Sequence, residues 1–380
     1  MRICHVTPHL PPDQAANALL PFHLGCWARD AGDEVSYVAH PPRAGRSAEP
    51  PGPVVWVPAR ETRSRLPVVR QLGSMVEAWR LARAAAPMVD RADLVHVHSN
   101  GLIAETGGLV ASLKRKPLVL TLYGTEIWHY RPRTIDLFTR MYRRAARITF
   151  YSRGLVDKAR ALGLDREGLE VIYPPVAGTF TWHDAVAQRE ARAALGLTAG
   201  KVLVNVKRLH PLAGQRYLLD AMPEVLRAHP DTALVVCGTG PLGDELRAQS
   251  ARLNLERHVT FTGLVDNSAV ARYVAAADLF VLPSLLEAGP TVALEALASG
   301  TPVVSSDNPG GVELHGLFGV DVDVVPREDP AGLAAAIIEA LDRDRRATAA
   351  TQELIERDFR PAAVAERFRR VYREALEGSG

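Results

Sequence analysis

The chain has 380 residues, of which 47% are hydrophobic and 23% are charged. This length favours two domains over a single core, and the composition excludes disordered and fibrous proteins. The three cysteines lie apart in apolar stretches without metal-ligand spacing, which predicts reduced thiols and a cytoplasmic protein. The sequence shows no signal peptide and no apolar run of ~18 residues, so we expect no membrane span.

Charge is distributed unevenly along the chain. Residues 1–175 carry 24 Lys and Arg against 16 Asp and Glu, a net charge of +8, whereas the remainder carries −6. This asymmetry suggests different partners for the two halves. Anionic lipid headgroups or anionic substrates would suit the basic half, although any single basic cluster is equally well explained as solvated surface arginines.

In chain order, short apolar runs alternate with longer helical patterns. Strands are predicted at 2–7, 34–40, 54–58, 94–99, 117–123, 146–152 and 169–173, and then at 201–209, 232–238, 258–263, 279–284, 301–306 and 322–326. Helical patterns include 19–32, 72–87, 133–145, 214–230 and 360–378. Continuous β-branched strands alternating with helices predict an α/β protein with parallel sheets covered on both faces.

A proline-rich and polar segment at 174–200 divides the chain into two doubly wound, Rossmann-like domains. We predict an N-terminal domain over 1–175, a C-terminal domain over 176–358, and a final helix over 359–380 that packs back toward the N-terminal domain. Open parallel sheets bind ligands beyond the carboxyl ends of their strands. We therefore expect the two domains to face each other across a cleft lined by those strand ends.

The segment SLLEAGPTVALEALASGTP contains two glutamates, Glu287 in a turn and Glu295 in an apolar helical stretch. Gly289 and Pro290 fit a helix start, so we expect the amides of Thr291 and Val292 to face an anion. A buried carboxylate needs a partner. The hydroxyl groups of a sugar or ribose would serve Glu295, and an arginine of the same domain is the equal alternative.

The stretch from 280 to 311 resembles the donor-binding signature of retaining glycosyltransferases of family 4, which have the GT-B fold. The resemblance implies that Glu287 holds a hydroxyl of the transferred sugar and that Glu295 holds the ribose hydroxyls. It also implies that backbone amides near Gly289, Thr291 and Val292 contact the sugar or the diphosphate. Pro290 stands where many members have glycine.

A second match is VLVNVKRLHPLAGQRY, which resembles the family's diphosphate-binding loop. It implies that Arg208 grips the diphosphate of the nucleotide. The family's lysine is missing, because Ala213 occupies its position, and Lys207 or His210 are the candidate substitutes. Two further turns resemble donor-site turns: Gly238 and Gly240 after one strand, and Gly263–Val265, where the backbone around Leu264 is expected to recognise the base.

The N-terminal half matches the family more loosely. Ala15 and Ala16 replace the usual Gly-Gly pair after the first strand, and Tyr123 replaces the usual histidine near the reacting sugar. The remaining candidates on the acceptor side are His98, Ser99, Gly124 and Glu126, whereas His96 is expected to pack inside. Glu126 has an equally simple interpretation as an acid in the first turn of a helix.

The resemblance implies a retaining transfer of a sugar from a nucleotide-diphosphate sugar, with UDP the expected nucleotide, to a hydroxyl acceptor. The leaving diphosphate takes the acceptor's proton, so the expected catalytic residues, Arg208, Glu287 and Tyr123, orient and stabilise rather than attack. We expect no cofactor, no metal and no nucleic-acid partner. The acceptor is left open: a glycan, a lipid-linked molecule or a small natural product.

Two alternatives are left open. The departures at Ala213, Tyr123, Ala15 and Ala16 would suit a non-catalytic sugar-nucleotide-binding protein. The other alternative is a GT-B-fold epimerase or phosphorylase, which would share parts of the same donor site. The basic segments 60–70 and 140–147 would suit peripheral contact with the inner face of an anionic membrane. The equally open alternative is a soluble acceptor, which would require no contact with a membrane.

Overall fold

The structure is a computed structural model that describes residues 1–13, 16–42, 49–59, 67–131, 136–287, 289 and 291–378, with the backbone alone for residues 67–70 and 125. Ala15, Pro290 and residues 60–66 of the basic segment therefore lie outside the described residues. The chain forms two compact units. Unit 1 comprises Met1–Pro174 and the chain from Val364 onward, and unit 2 comprises Pro175–Ala363.

Unit 1 contains a seven-stranded parallel sheet in the order β3-β2-β1-β4-β5-β6-β7. Its strands are β1 (Arg2–Thr7), β2 (Glu34–Ala39), β3 (Val54–Trp56), β4 (Leu94–His98), β5 (Leu118–Leu122), β6 (Arg147–Phe150) and β7 (Leu169–Val171). Its helices include α1 (Ala16–Asp30), α2 (Pro67–Arg91), α3 (Leu102–Leu113), α4 (Thr125–Trp128), α5 (Leu137–Arg144) and α6 (Arg153–Ala161).

Unit 2 contains a six-stranded parallel sheet in the order β10-β9-β8-β11-β12-β13. Its strands are β8 (Lys201–Val206), β9 (Thr232–Cys237), β10 (Val259–Gly263), β11 (Leu279–Leu282), β12 (Val303–Ser306) and β13 (Val322–Val325). Its helices are α7 (Ala185–Ala194), α8 (Gln215–Ala228), α9 (Gly243–Arg252), α10 (Asn267–Ala276), α11 (Thr291–Ala298), α12 (Pro309–Phe318), α13 (Pro330–Arg343) and α14 (Ala349–Asp358).

The last helix, α15 (Pro361–Glu377), starts in unit 2 and continues from Val364 within unit 1. There it buries Phe368 and Tyr372, and Glu374 pairs with Arg147 at 3.0 Å. No helix in the described part of the chain is long and apolar enough to cross a membrane.

The predicted pair of doubly wound, parallel-sheet domains is confirmed, and each predicted strand corresponds to an observed one. Most of the observed strands end one to three residues earlier than predicted, because burial alone does not mark the end of the ladder: Tyr151 and Pro283 are buried but lie beyond β6 and β11. In β8, Val202–Asn205 are fully buried, the ladder stops at Val206, and the polar Lys207 and Arg208 lie beyond it.

Both sheets reverse their strand order next to their first strand, between β1 and β4 in unit 1 and between β8 and β11 in unit 2. Ligands of open α/β sheets bind at such a reversal, beyond the carboxyl ends of the strands. The residues that follow β8 and β11 are therefore the first candidates for a binding site in unit 2, and those at the ends of β1, β4 and β5 are the candidates in unit 1.

Candidate donor site and its relatives

The strand reversal in unit 2 brings two charged side chains together. Lys207 follows β8, Glu287 lies in the loop after β11, and their Nζ and Oε1 atoms are 2.5 Å apart. Glu287 is only 7% exposed, so its carboxylate has lost most of its hydration. A close cation offsets that loss. The ion pair joins two loops that are far apart in the sequence.

Beside this pair, unit 2 has a cavity of 510 Å³ whose lining includes Lys207, Arg208, Gly238, Leu264, Val265 and Val292. Arg208 is exposed, and its guanidinium makes no hydrogen bond or ion pair with the residues that the structure describes. The side chain of Leu264 is 82% exposed. A cavity with an unpaired guanidinium and an uncovered apolar wall can accept a flat, anionic ligand.

The Gly-x-Gly turn after β9 has a structural reason. Gly238 has φ 143°, and a Cβ there would lie 2.1 Å from the carbonyl oxygen of Lys207. A Cβ on Gly240 would lie 2.2 Å from the carbonyl oxygen of Leu209. Both glycines therefore let the turn pack against the loop that carries Lys207 and Arg208. Gly263, with φ 75°, has open space around it and serves a turn rather than a close contact.

Helix α11 spans Thr291–Ala298, and Pro290, the predicted first helical residue, lies outside the described residues. The amide of Thr291 donates to the carbonyl of Gly289 at 2.9 Å, so this donor is engaged within the protein. Val292, whose amide was expected to contact the sugar or the diphosphate, lines the cavity.

Glu295 lies one turn into α11, between buried residues on either side. Its carboxylate makes no hydrogen bond or ion pair with the described residues, and the arginine of the same unit that was the alternative partner is not among its contacts. Burial raises the pKa of Glu295 to about 7. The carboxylate is therefore destabilised by burial, as expected for a group whose partner is a ligand.

The loop after Arg208 does not supply a second cation. Ala213 is 2% exposed at the end of a short 3₁₀ turn, Pro211–Ala213. His210 caps that turn, since its Nδ1 accepts from the amide of Leu212 at 3.3 Å. Of the two candidate substitutes for the missing lysine, Lys207 is therefore the one whose charge reaches the site.

Unit 1 buries a network of histidines at its own strand reversal. His5 Nδ1 and His98 Nε2 are 2.9 Å apart, and His98 Nδ1 lies 2.7 Å from the hydroxyl of Tyr123. His96, which packs inside as expected, bonds the hydroxyl of Tyr372 at 2.8 Å. Sequence reasoning missed His5, because nothing in a single apolar strand shows which neighbour its side chains meet.

Two acceptor-side candidates, His98 and Tyr123, are tied into this network. His98 is fully buried with both ring nitrogens engaged. Burial, with His96 and His5 nearby, holds its pKa well below the usual value, so it stays neutral. Tyr123 is partly buried, and burial together with Tyr151 holds the pKa of its phenol well above the usual value.

Glu126 ties together the loops after β4 and β5. Its carboxylate accepts from Ser99 Oγ at 2.5 Å and from the amides of Gly124 at 2.7 Å and Tyr123 at 3.3 Å. Each carboxylate oxygen thus has a partner, which favours the simpler interpretation of Glu126 as a residue of the first helical turn. Ala16 is exposed at the start of α1.

His5, His96 and His98 also lie close enough together to be tested as a metal site, since their candidate ligand atoms fall within 4.8 Å of one another. Both nitrogens of His96 and of His98 already take part in hydrogen bonds, as does His5 Nδ1. A metal would have to displace these bonds. The cluster is therefore explained as a hydrogen-bonded network of neutral imidazoles, with His5 Nε2 buried and without a partner among the described residues.

Two family models match the chain. "Glycosyltransferase Family 4" matches residues 22–177, and "Glycosyl transferases group 1" matches residues 187–357. Together they span both units.

Curated relatives agree with these matches. A glycogen synthase of Mycobacterium tuberculosis is 32% identical over 302 residues, which cover 76% of this chain and 70% of the relative. A 2-deoxystreptamine N-acetyl-D-glucosaminyltransferase of Streptomyces fradiae is 32% identical over 321 residues, which cover 77% of this chain and 75% of the relative.

Solved structures show the same fold. The chain resembles Anabaena HepE in complex with UDP, with a TM-score of 0.75, 21% identity and coverage of 98% of this chain and 100% of that one. It also resembles a sucrose-phosphate synthase from Thermosynechococcus elongatus, with a TM-score of 0.74, 21% identity and coverage of 99% of both chains. The protein is therefore a glycosyltransferase with the GT-B fold, and it belongs to the family of group 1 and family 4 glycosyltransferases.

Proposed function

We propose that the protein transfers a sugar from a nucleotide-diphosphate sugar, with UDP as the nucleotide, to a hydroxyl acceptor with retention of the anomeric configuration. The observation that carries the proposal is the cavity in unit 2. An unpaired guanidinium, Arg208, lies in its wall, and the half-buried carboxylate of Glu295, in the helix that contributes Val292 to that wall, has no partner among the described residues.

Each group has a role in this proposal. Arg208 holds the diphosphate by paired N–H···O bonds and stabilises the charge that grows as it leaves. Glu295 accepts hydrogen bonds from the two ribose hydroxyls, and Glu287 accepts one from the transferred sugar. The base lies against Leu264 and Val292. The leaving diphosphate accepts the acceptor's proton, so no side chain has to act as a base, and the neutral Tyr123 is compatible with this chemistry.

Relatives support a nucleotide-sugar donor without naming its sugar. HepE has been solved with UDP and with UDP-glucose, and a relative in Mycolicibacterium smegmatis, 30% identical over 255 residues, is described as GDP-mannose-dependent. The relatives carry names of transferases with different products, and the proposal for the acceptor of this protein is a hydroxyl group.

The test begins with thermal denaturation in the presence of UDP, GDP, ADP and dTDP and their sugars. A ligand at a hundred times its Kd raises stability by about 2.7 kcal/mol. The donor that shifts the melting temperature is then assayed for slow release of nucleoside diphosphate, and NMR of the product gives its anomeric configuration. Absence of any nucleotide-dependent shift would contradict the donor site, and an inverted product would contradict retention alone.

We also propose peripheral contact between unit 1 and an anionic membrane surface through α2. Leu72, Met75, Val76 and Trp79 are 57–67% exposed and lie three or four positions apart, so they form one apolar stripe along the helix. The guanidinium of Arg83 lies over the ring of Trp79, 5.6 Å from its centre. An apolar stripe beside cations on a unit with net positive charge suits anionic headgroups.

Helix α5 adds charge to the same unit. Arg140, Arg143 and Arg144 are exposed on it, and α3 packs next to both α2 and α5.

The test of this membrane contact is sedimentation of the protein with vesicles of anionic or of neutral phospholipid. We expect binding to anionic vesicles that weakens at high salt and in Trp79→Ser. Binding should not weaken in Val312→Ser, which alters an exposed apolar residue of unit 2 (53% against 63% for Trp79). Equal amounts of protein sedimenting with the anionic and the neutral vesicles would refute the proposal.

A further inference from the structure

The side chain of Lys207 is directed at Glu287. Its Nζ lies 2.5 Å from Oε1 without hydrogen-bond geometry, so the contact is an ion pair, and the side chains are 30% and 8% exposed. Burial penalises an ionised carboxylate, and an opposite charge within 4 Å offsets that penalty. Glu287 is also held through its backbone, because its carbonyl accepts from the amide of Gly310 at 3.1 Å. The backbone is thus fixed independently, and Lys207 acts on the carboxylate alone.

Other charged groups around Glu287 are engaged elsewhere. Arg327 pairs with Asp307 at 2.9 Å and donates to the carbonyl of Leu285. His210 caps its own turn, and Arg208 is exposed in the cavity. Among the described residues, Lys207 is the cation recorded at the carboxylate of Glu287.

We propose that Lys207 is a positioning residue of the transfer reaction, which pairs with Glu287 and holds its carboxylate toward the donor sugar rather than binding the nucleotide itself. The proposal rests on the donor site described under Proposed function. It explains how a chain with an uncharged, buried Ala213 in the neighbouring loop still places a cation in the site. Its consequence is selective: loss of Lys207 should impair the positioning of the donor sugar, and hence turnover, but leave the affinity for the nucleotide unchanged.

The experiment compares Lys207→Met, Glu287→Gln and the double variant by calorimetric binding of UDP and of UDP-glucose, and by release of UDP. We expect Lys207→Met to lower turnover at least tenfold while the Kd for UDP changes less than threefold. The turnover of the double variant should lie within threefold of that of Glu287→Gln, since the effects of substitutions at coupled residues are not additive. Lys207→Arg, which keeps the charge, should recover at least a third of the activity.

Lys201→Met is the matched control, because Lys201 lies at the opposite end of β8 and pairs with Asp344. Its turnover should equal that of the wild type. A parallel loss of UDP affinity in Lys207→Met would overturn the proposal, because Lys207 would then contact the diphosphate directly. Multiplicative losses in the double variant would overturn it as well.

Failure of the proposed function is distinguishable from failure of this inference. If the wild type binds no nucleotide sugar, the donor site is wrong, whereas the Lys207–Glu287 coupling is still tested by unfolding. At pH 8, Lys207→Met should lower the melting temperature, and adding Glu287→Gln should restore it, because the isolated buried charge is removed. A double variant that melts no higher than Lys207→Met would overturn the inference irrespective of activity.

Discussion

Glu295→Gln should make the free protein more stable at pH 8 while weakening its binding of the nucleotide. Burial moves the pKa of Glu295 from 4.5 to about 7. The folded state therefore keeps this proton up to pH 7, whereas the unfolded chain loses it near pH 4.5. Because the folded state binds more protons in this window, stability falls as pH rises from 4.5 to 7 and stays low above it.

The size of the effect follows from the shift. One pKa unit corresponds to 1.36 kcal/mol, so the ionised carboxylate costs about 3 kcal/mol above pH 7, as an upper estimate for a partly buried group. At pH 5 the difference falls below ~1 kcal/mol, since little of the titration has occurred. For a unit of this size, about 3 kcal/mol corresponds to roughly 6–12 °C in melting temperature.

The assay is thermal denaturation of the wild type and Glu295→Gln at pH 5 and pH 8, without and with saturating UDP. Without nucleotide, the variant should have a higher melting temperature than the wild type at pH 8, and nearly the same melting temperature at pH 5. UDP should raise the melting temperature of the wild type more than that of the variant, because an amide offers a single acceptor oxygen where the carboxylate offers two. Glu256→Gln, an exposed glutamate of the same unit, should change neither value.

Two outcomes would refute the reasoning. If Glu295→Gln does not raise the melting temperature at pH 8, the carboxylate has a partner within the protein and needs no ligand to stabilise it. If the gain is the same at pH 5 and pH 8, it arises from the substitution itself rather than from ionisation.

Three further changes and one additive test the remaining assignments. Arg208→Ala should lower donor turnover at least tenfold with less than ~0.5 kcal/mol change in stability, because the side chain is exposed; unchanged turnover would contradict its role. Gly238→Ala should lower both the melting temperature and UDP affinity, because its Cβ would meet the carbonyl of Lys207. Tyr123→Phe should lose about 1–3 kcal/mol in urea unfolding, because it leaves a nitrogen of the buried His98 without its hydroxyl partner. EDTA should leave turnover within twofold, and a larger loss, restored by one added metal, would make the histidine cluster a metal site.

The elements of the proposed donor site could be located from sequence because they are local: the turn around Gly238 and Gly240, the loop with Arg208 and the helix with Glu295 each form within a few residues. The turn also depends on a backbone geometry that few residue types allow, whereas the roles of Arg208 and Glu295 came from the resemblance to the family. Strand positions were predictable for the same reason, since a fully buried parallel strand is a short continuous apolar run.

What only the tertiary structure decided was the pairing of residues that are distant in the chain. β8 lies beside β11, and β1 beside β4, through crossovers that the apolar pattern does not encode. That adjacency is what brings Lys207 to Glu287 and buries His5 against His98. Burial within unit 2 separately raises the pKa of Glu295. A side chain's charge state depends on its neighbours and its burial, and both are properties of the packed sheet rather than of the local sequence.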